Sequence, residues 1–172
     1  MREKRKAPAA ACLPGDSRVF VFGGFNNSSR LASVEVGRLE ADWEEATATS
    51  ARTAVFWQAA APMRTARSDF AATSFRGRII VAGGENWQRS LNVVEIFTPP
   101  DAGSPLGQWT ELTGMTQSRT YFTLLTSTDA VFALGSAWGM HDCHPLALHS
   151  FSLIHALLHD ALFMRQKAYR IC

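Results

Sequence analysis

The chain has 172 residues, long enough for one domain with a sizeable core, and 47% of them are hydrophobic, as in soluble globular proteins. Its formal net charge of +2 is too weak to argue for nucleic acid, and no run approaches the roughly 18–20 apolar residues of a membrane span. The three cysteines, Cys12, Cys143 and Cys172, are odd in number and far apart, which excludes a disulfide framework or a CxxC metal knuckle and fits a reducing, cytoplasmic setting.

In chain order, the opening "MREKRK" reads as a short solvated tail, and residues 1–17 as a disordered N-terminus. The "APAAACL" that follows is too short for the apolar core of a signal peptide. "RVFVF" at 18–22 is then a β-branched and aromatic strand ending on Gly23-Gly24, and "ASVEV" at 32–36 a second strand with one acid between aliphatics, as on a half-exposed face. "VFWQAA", "FAATSF" and "RIIVA" follow as strands, the last ending on Gly83-Gly84. "NVVEIF", "QWTEL", "YFTLLT" and "AVFAL" complete the series. After Gly139 no glycine remains, all five histidines fall between His141 and His159, and Leu153, Leu157, Ala161 and Met164 share a helical face. The tail, 138–172, is therefore expected to be helical.

The strands recur. A shift of 52 residues lays Trp57 on Trp109, Met63 on Met115, Arg67 on Arg119 and Phe70 on Phe122. A shift of 60 lays Gly23-Gly24 on Gly83-Gly84 and Val34-Glu35-Val36 on Val94-Glu95-Ile96. The difference of 8 sits in the longer gap between Val36 and Trp57, as a loop insertion would. Four short strands per period of 50–60 residues describe a propeller blade, and a glycine pair suits a strand that ends where a Cβ would meet neighbouring backbone. Gly23, Gly24, Gly83, Gly84, Trp57 and Trp109 are accordingly read as structural.

The order of apolar strand, double glycine, "VEV" strand, tryptophan and "M..xR" resembles the kelch repeat, most closely over "MRTARSDFAATSFRGRIIVAGG" at 63–84. "LNVVEIFTPP" resembles the family's "VEVYDP" stretch, whereas Gly37 stands where an aromatic belongs and Gly135-Ser136 replaces the last glycine pair. The resemblance covers 18–137 and implies an all-β fold: a partial kelch-type β-propeller of about two four-stranded blades, with the helical tail behind it. Two blades leave faces and edges bare, which implies a fragment or a chain that self-associates through its open edges.

No catalytic constellation stands in the sequence: there is no GxSxG, P-loop or GxGxxG after a strand. Related propellers that act as copper oxidases use Tyr, Cys and His ligands, but here the histidines lie outside the blades. His141, Cys143 and His144, or His155 and His159 at i,i+4, could be drawn as metal ligands, but there is no cysteine pair and no HExxH, and the metal reading is set aside. The reading is a non-catalytic binding module with no metal and no cofactor. The resemblance to kelch-like proteins implies a partner face formed by the loops after the glycine pairs and the turns before the arginine strands. That assigns Asn26, Asn27 and Arg30, Asn86, Trp87 and Arg89, and the turn residues Arg64, Arg67 and Arg119 to partner binding, with arginine forks suited to carboxylates. Arg67 and Arg119 have a second reading, as pairs within a blade. The partner is expected to be a protein: a substrate of a cullin–RING ubiquitin ligase adaptor, or else actin. A remnant without function is the third reading.

Overall fold

A computed structural model describes residues 1–38 and 56–137 and the backbone of the strand at 151–154. Among the described residues, eleven strands form three antiparallel sheets. The first is β1 (Ala9–Cys12), β2 (Arg18–Phe22), β3 (Val34–Arg38) and β4 (Trp57–Ala60), hydrogen-bonded in that order. The second repeats the order with β5 (Ala71–Phe75), β6 (Arg78–Ala82), β7 (Val94–Thr98) and β8 (Gln108–Leu112). The third has β9 (Arg119–Thr126), β10 (Val131–Ala137) and β11 (Phe151–Ile154). These are two whole blades and three strands of another, with β1, β5 and β9 innermost and adjacent. The all-β partial propeller read from the repeat is the fold that forms.

Residues 1–17, expected to be a solvated tail, are different. Ala9–Cys12 pair with Val19–Phe22 as the inner strand of blade 1, and Lys6 and Phe25 exchange backbone hydrogen bonds of 2.8 Å each way. The alanines form a strand because β2 offers them a ladder, a tertiary effect that overrides a weak local preference. At the other end, Phe151–Ile154 pair with Val131–Leu134 as a strand where a helix was expected. The rest of the 138–172 tail lies outside the described residues.

Side-chain alternation along each strand builds the interfaces between blades. One face of β2 sends Phe20 and Phe22 against Phe97 and Trp109 of blade 2, with ring centroids 5.4–5.8 Å apart across the interface. The other face of blade 2, with Ile80, Ala82, Val94 and Ile96, packs on Leu124, Val131 and Ala133 of blade 3. The β5–β6 hairpin turns through Arg76 and Gly77 at φ +48° and +72°, a two-residue turn with both centres left-handed that matches strand twist. In blade 1, where Gly37 replaces the repeat's aromatic, the Phe56 ring lies against Gly37, within 2.6 Å of where a Cβ would stand. Phe56, just before β4, thus supplies the ring that Gly37 lacks, and it stacks edge-on to Trp57.

The glycine pairs sit at the seams. A Cβ on Gly83 would lie 2.6 Å from the Arg119 carbonyl oxygen of the next blade, and one on Gly84 2.5 Å from the Ser68 carbonyl of its own. Both residues have positive φ, and the Gly84 N–H donates to the Arg119 carbonyl at 2.7 Å. Gly23 and Gly24 repeat this: Gly24 N–H donates to the Arg67 carbonyl at 2.9 Å. A Gly83→Ala chain should lose about 2–4 kcal/mol of unfolding free energy, the sum of left-handed strain and a Cβ forced against backbone. Urea titration checks this, and Gly77→Ala is the control: φ is also positive there, but a Cβ meets nothing within 4 Å.

Candidate functional site

Strand direction puts the β2–β3 and β6–β7 loops and the segments leading into β1, β5 and β9 at one end of the blades. The implied partner-binding residues all belong to these segments, but the fold uses them in different ways.

Arg67 and Arg119 are buried and cannot reach a partner, which corrects their place among the binding residues. Arg67 Nη1 donates to the Gly83 and Val93 carbonyls at 3.0 Å each, and Nη2 pairs with Glu95. Both side chains of that pair are fully buried. Arg119 Nη1 donates to the Gly135 carbonyl at 2.7 Å, and Arg119 makes further contacts. Burial pulls the pKa of both guanidiniums below the ordinary arginine value, and for Arg67 the Glu95 carboxylate acts against that pull. The bracket closes on the backbone, since Arg64 and Thr65 N–H donate to the Glu95 carboxylate at 2.8 and 3.2 Å.

Blade 1 has its own copy, absent from the sequence reading. Arg5 Nη1 donates to the Gly23 and Ser33 carbonyls at 2.8 and 2.9 Å, and Nη2 pairs with Glu35 at 2.9 Å. Arg2 and Glu3 N–H donate to the Glu35 carboxylate at 2.6 and 3.2 Å. Met1 and Arg5 stand 62 residues before Met63 and Arg67, so the spacing of "M...R" was the signal. Glu35 and Glu95, read as acids on half-exposed strands, are buried, and the arginine with two backbone N–H groups makes that burial tolerable.

Burial raises the Glu35 pKa, but the Arg2 N–H and the Arg5 guanidinium outweigh it, so the net pKa lies below the ordinary glutamate value. A depressed folded pKa stabilises the fold above the unfolded value of about 4.3 and loses that contribution as pH falls through the lower folded value. Acid unfolding should therefore steepen below about pH 4.3, and Glu35→Gln should flatten that part of the curve. Denaturation midpoints measured across pH check it.

Asn26 and Asn86 are turn formers. Each Oδ1 accepts backbone N–H bonds from the residues two and three positions on, at 2.8–3.0 Å. Asn27, Arg64 and Arg89 are exposed. Arg30 lies between two rings, its guanidinium carbon 4.7 Å from the centroids of Phe25 and Trp87, and pairs with Glu85. This stack joins the loops of blades 1 and 2 and holds Trp87 upright at 64% exposure. Trp109 Nε1 donates to the Ala61 carbonyl at 2.7 Å, tying the outer strand of blade 2 to the chain leaving blade 1, while Trp57 is half-buried.

Tyr121, in the strand "YFTLLT" and not assigned to partner binding from the sequence, is 73% exposed. Ala7, Asp69 and Tyr121, each two residues after a bracket arginine, share φ of +47°, +57° and +52°. Asp69 N–H donates to the Ala7 carbonyl at 3.3 Å and Tyr121 N–H to the Asp69 carbonyl at 3.2 Å, linking the inner strands from blade to blade. The left-handed turn swings the Tyr121 ring out of the ladder. The negative charge of the Asp69 carboxylate raises the Tyr121 pKa above the ordinary tyrosine value, with smaller contributions from desolvation and Glu85.

Among the described residues no group of His, Cys, Asp or Glu is placed to hold a metal ion, and no helix is long and apolar enough to cross a membrane. The five histidines and Cys143 lie outside the described residues.

Residues 66–116 match the family described as Kelch motif. The chain is 30% identical to Kelch-like protein 40 of Xenopus tropicalis over 79 residues and 34% identical to Kelch-like protein 40 of Mus musculus over a segment of the same length. The aligned segment is 46% of this chain and 12% of each relative. The matched motif runs from the Arg67 bracket through blade 2 to Met115, the stretch on which the three sheets are patterned. With the repeated bracket, the glycine seams and the four-stranded blades, this identifies residues 66–116 as a kelch motif within a partial propeller of kelch type.

Proposed function

We propose that the chain acts as a protein-interaction module through the end of the blades that carries Trp87 and Tyr121, without catalysis of its own. The observation that carries this is the Arg30 stack. It fixes a largely exposed tryptophan over a rigid scaffold, at the same end of the blades as a second exposed aromatic, Tyr121. Rigid aromatics that are already ordered lose little entropy on binding and are the usual anchors of protein interfaces. The finer reading is the substrate-recognition part of a cullin–RING ubiquitin ligase adaptor, as the resemblance to kelch-like proteins implies. The kelch match and the similarity to two kelch-like proteins support it.

The test places a photo-crosslinking amino acid at position 87 and, on the opposite end of the blades, at Thr128, in the full chain expressed in cells. Discrete protein adducts should form from position 87 and not from 128. Equal adducts from both ends contradict the proposal. A captured protein that gains ubiquitin on co-expression supports the adaptor role, whereas capture of actin replaces that role with cytoskeletal binding.

A further inference from the structure

Both seams between blades carry the same three backbone hydrogen bonds. Across the first, Gly24 N–H donates to the Arg67 carbonyl, Arg67 N–H to the Leu31 carbonyl and Asp69 N–H to the Ala7 carbonyl, at 2.9, 3.1 and 3.3 Å. Across the second, Gly84 N–H donates to the Arg119 carbonyl, Arg119 N–H to the Leu91 carbonyl and Tyr121 N–H to the Asp69 carbonyl, at 2.7, 3.1 and 3.2 Å. Arg5 and Ala7 hold the places of Arg67 and Asp69 in blade 1, where no blade stands before them. There the Arg5 carbonyl, the Arg5 N–H and the Ala7 N–H have no partner among the described residues. Exposure agrees. Arg67 and Arg119 are 0% and 1% exposed, whereas Arg5 is half-buried although its side chain is fully buried, so what it exposes is main chain.

The side chains of that face are also those of a seam. Val19 and Trp57 hold the places of Ile79 and Trp109, which are buried, yet both are only half-buried, and Ala10 and Cys12 on the paired strand are exposed. The far face of blade 3 is the opposite half. Phe132 and Leu134 hold the places of Ile80 and Ala82, which are fully buried on blade 3, yet both are half-buried. Leu125, across the ladder from Phe132, is 48% exposed.

We infer that the open face of blade 1 receives the open face of blade 3 of a second copy, repeating the seam that blade 2 forms on each of its sides. Ala7 N–H then donates to the Tyr121 carbonyl of the other copy, as Tyr121 N–H donates to Asp69. Phe132, Leu134 and Leu125 of that copy cover Ala10, Cys12, Val19 and Trp57. The occupant is a second copy because the two half-seams are complementary and stand on one chain, each matching in backbone and apolar side chains a seam already formed. Exposed apolar faces of this kind mark sites of association. A head-to-tail contact either closes into a ring or runs on as a filament. Propellers close with about 4–8 blades. Three sheets per chain make six in two copies and nine in three, so the ring holds two copies.

The test is the mass of the full chain by light scattering over a concentration series. The parent should pass from 18.9 kDa to twice that mass. Ala10→Glu puts a charge on the face of blade 1 and Leu125→Lys puts one on the face of blade 3, both at exposed positions. Each variant alone should need at least about tenfold more protein to dimerise, because it buries an unpaired charge. Mixed, the two should pair: each keeps the half-seam that the other lacks, and the introduced charges are opposite where they meet. Cys12→Glu is a second variant of the blade 1 face and should behave as Ala10→Glu does, with near-ultraviolet circular dichroism showing that each variant is folded. Trp87→Ser should leave the mass unchanged. The Arg5 and Ala7 amides should gain protection from exchange as the dimer forms and lose it in Leu125→Lys. A parent that stays monomeric, a mass that grows past two copies, single variants that dimerise as the parent does, or variants that fail to pair when mixed overturn the inference.

Discussion

Replacing Arg67 with methionine should lower the unfolding free energy by about 3–5 kcal/mol, because it strands a buried carboxylate. Glu95 is fully buried, and in the variant it keeps only the Arg64 and Thr65 N–H groups. The Gly83 and Val93 carbonyls lose their shared donor at the same time. Methionine fills much of the volume, so the loss reports the unpaired charge more than a cavity. Glu95→Gln in the same background should recover part of it, since the amide is neutral and the carboxylate no longer lies uncompensated. Urea denaturation of the two single variants and the double gives the coupling. An Arg67→Met chain within about 1 kcal/mol of the parent would mean that the bracket is not formed in solution.

The second large effect is expected at Phe97. Its ring is fully buried and meets Phe20, Phe22 and Trp109, so it belongs to blade 2 and to the seam with blade 1 at once. Phe97→Ala should cost about 3–5 kcal/mol, with little relaxation because rings fixed on two sheets surround the cavity. Trp109 reports the loss in near-ultraviolet circular dichroism, since its stacking partner 4.9 Å away is removed. A small loss with an unchanged tryptophan signal would mean that blades 1 and 2 do not pack through these rings.

The elements most readable in the sequence were those that repeat. The glycine pairs, "VEV" strands and tryptophans locate β2 through β10 because the same physical demand recurs at fixed spacing: a crowded seam, a buried strand, an outer-strand ring. Blade 1's inner strand escaped because its residues look wrong for the role. "APAAAC" is a weak strand former and "MREKRK" looks like solvent-facing charge. Only tertiary pairing with β2, and the Arg5–Glu35 bracket, make that stretch part of the core. The acids at Glu35 and Glu95 misled for a similar reason. Hydropathy marks an acid as exposed, whereas burial here depends on a partner 28 or 30 positions away.

The binding residues were legible unevenly. Trp87 stood out as a large aromatic in a polar loop, and exposure bears on its role directly. Arg67 and Arg119 carried a charge that suggests an exterior, but their fixed place in the repeat reflects an internal task. Tyr121 was hidden because the alternation of "RTYFTLLT" says nothing about a backbone at φ +52°.

The central claim is that the first twelve residues complete blade 1. The most direct measurement is amide hydrogen exchange resolved by residue in the intact chain. Protection should appear at Arg2, Glu3 and Lys6, whose N–H groups donate to the Glu35 carboxylate and the Phe25 carbonyl, and at Ala9–Cys12 in the ladder with β2. It should parallel that of Arg64, Thr65 and Ser68, their equivalents in blade 2. Exchange through residues 1–12 at the rate of an unstructured peptide, with blade 2 protected, would contradict the account.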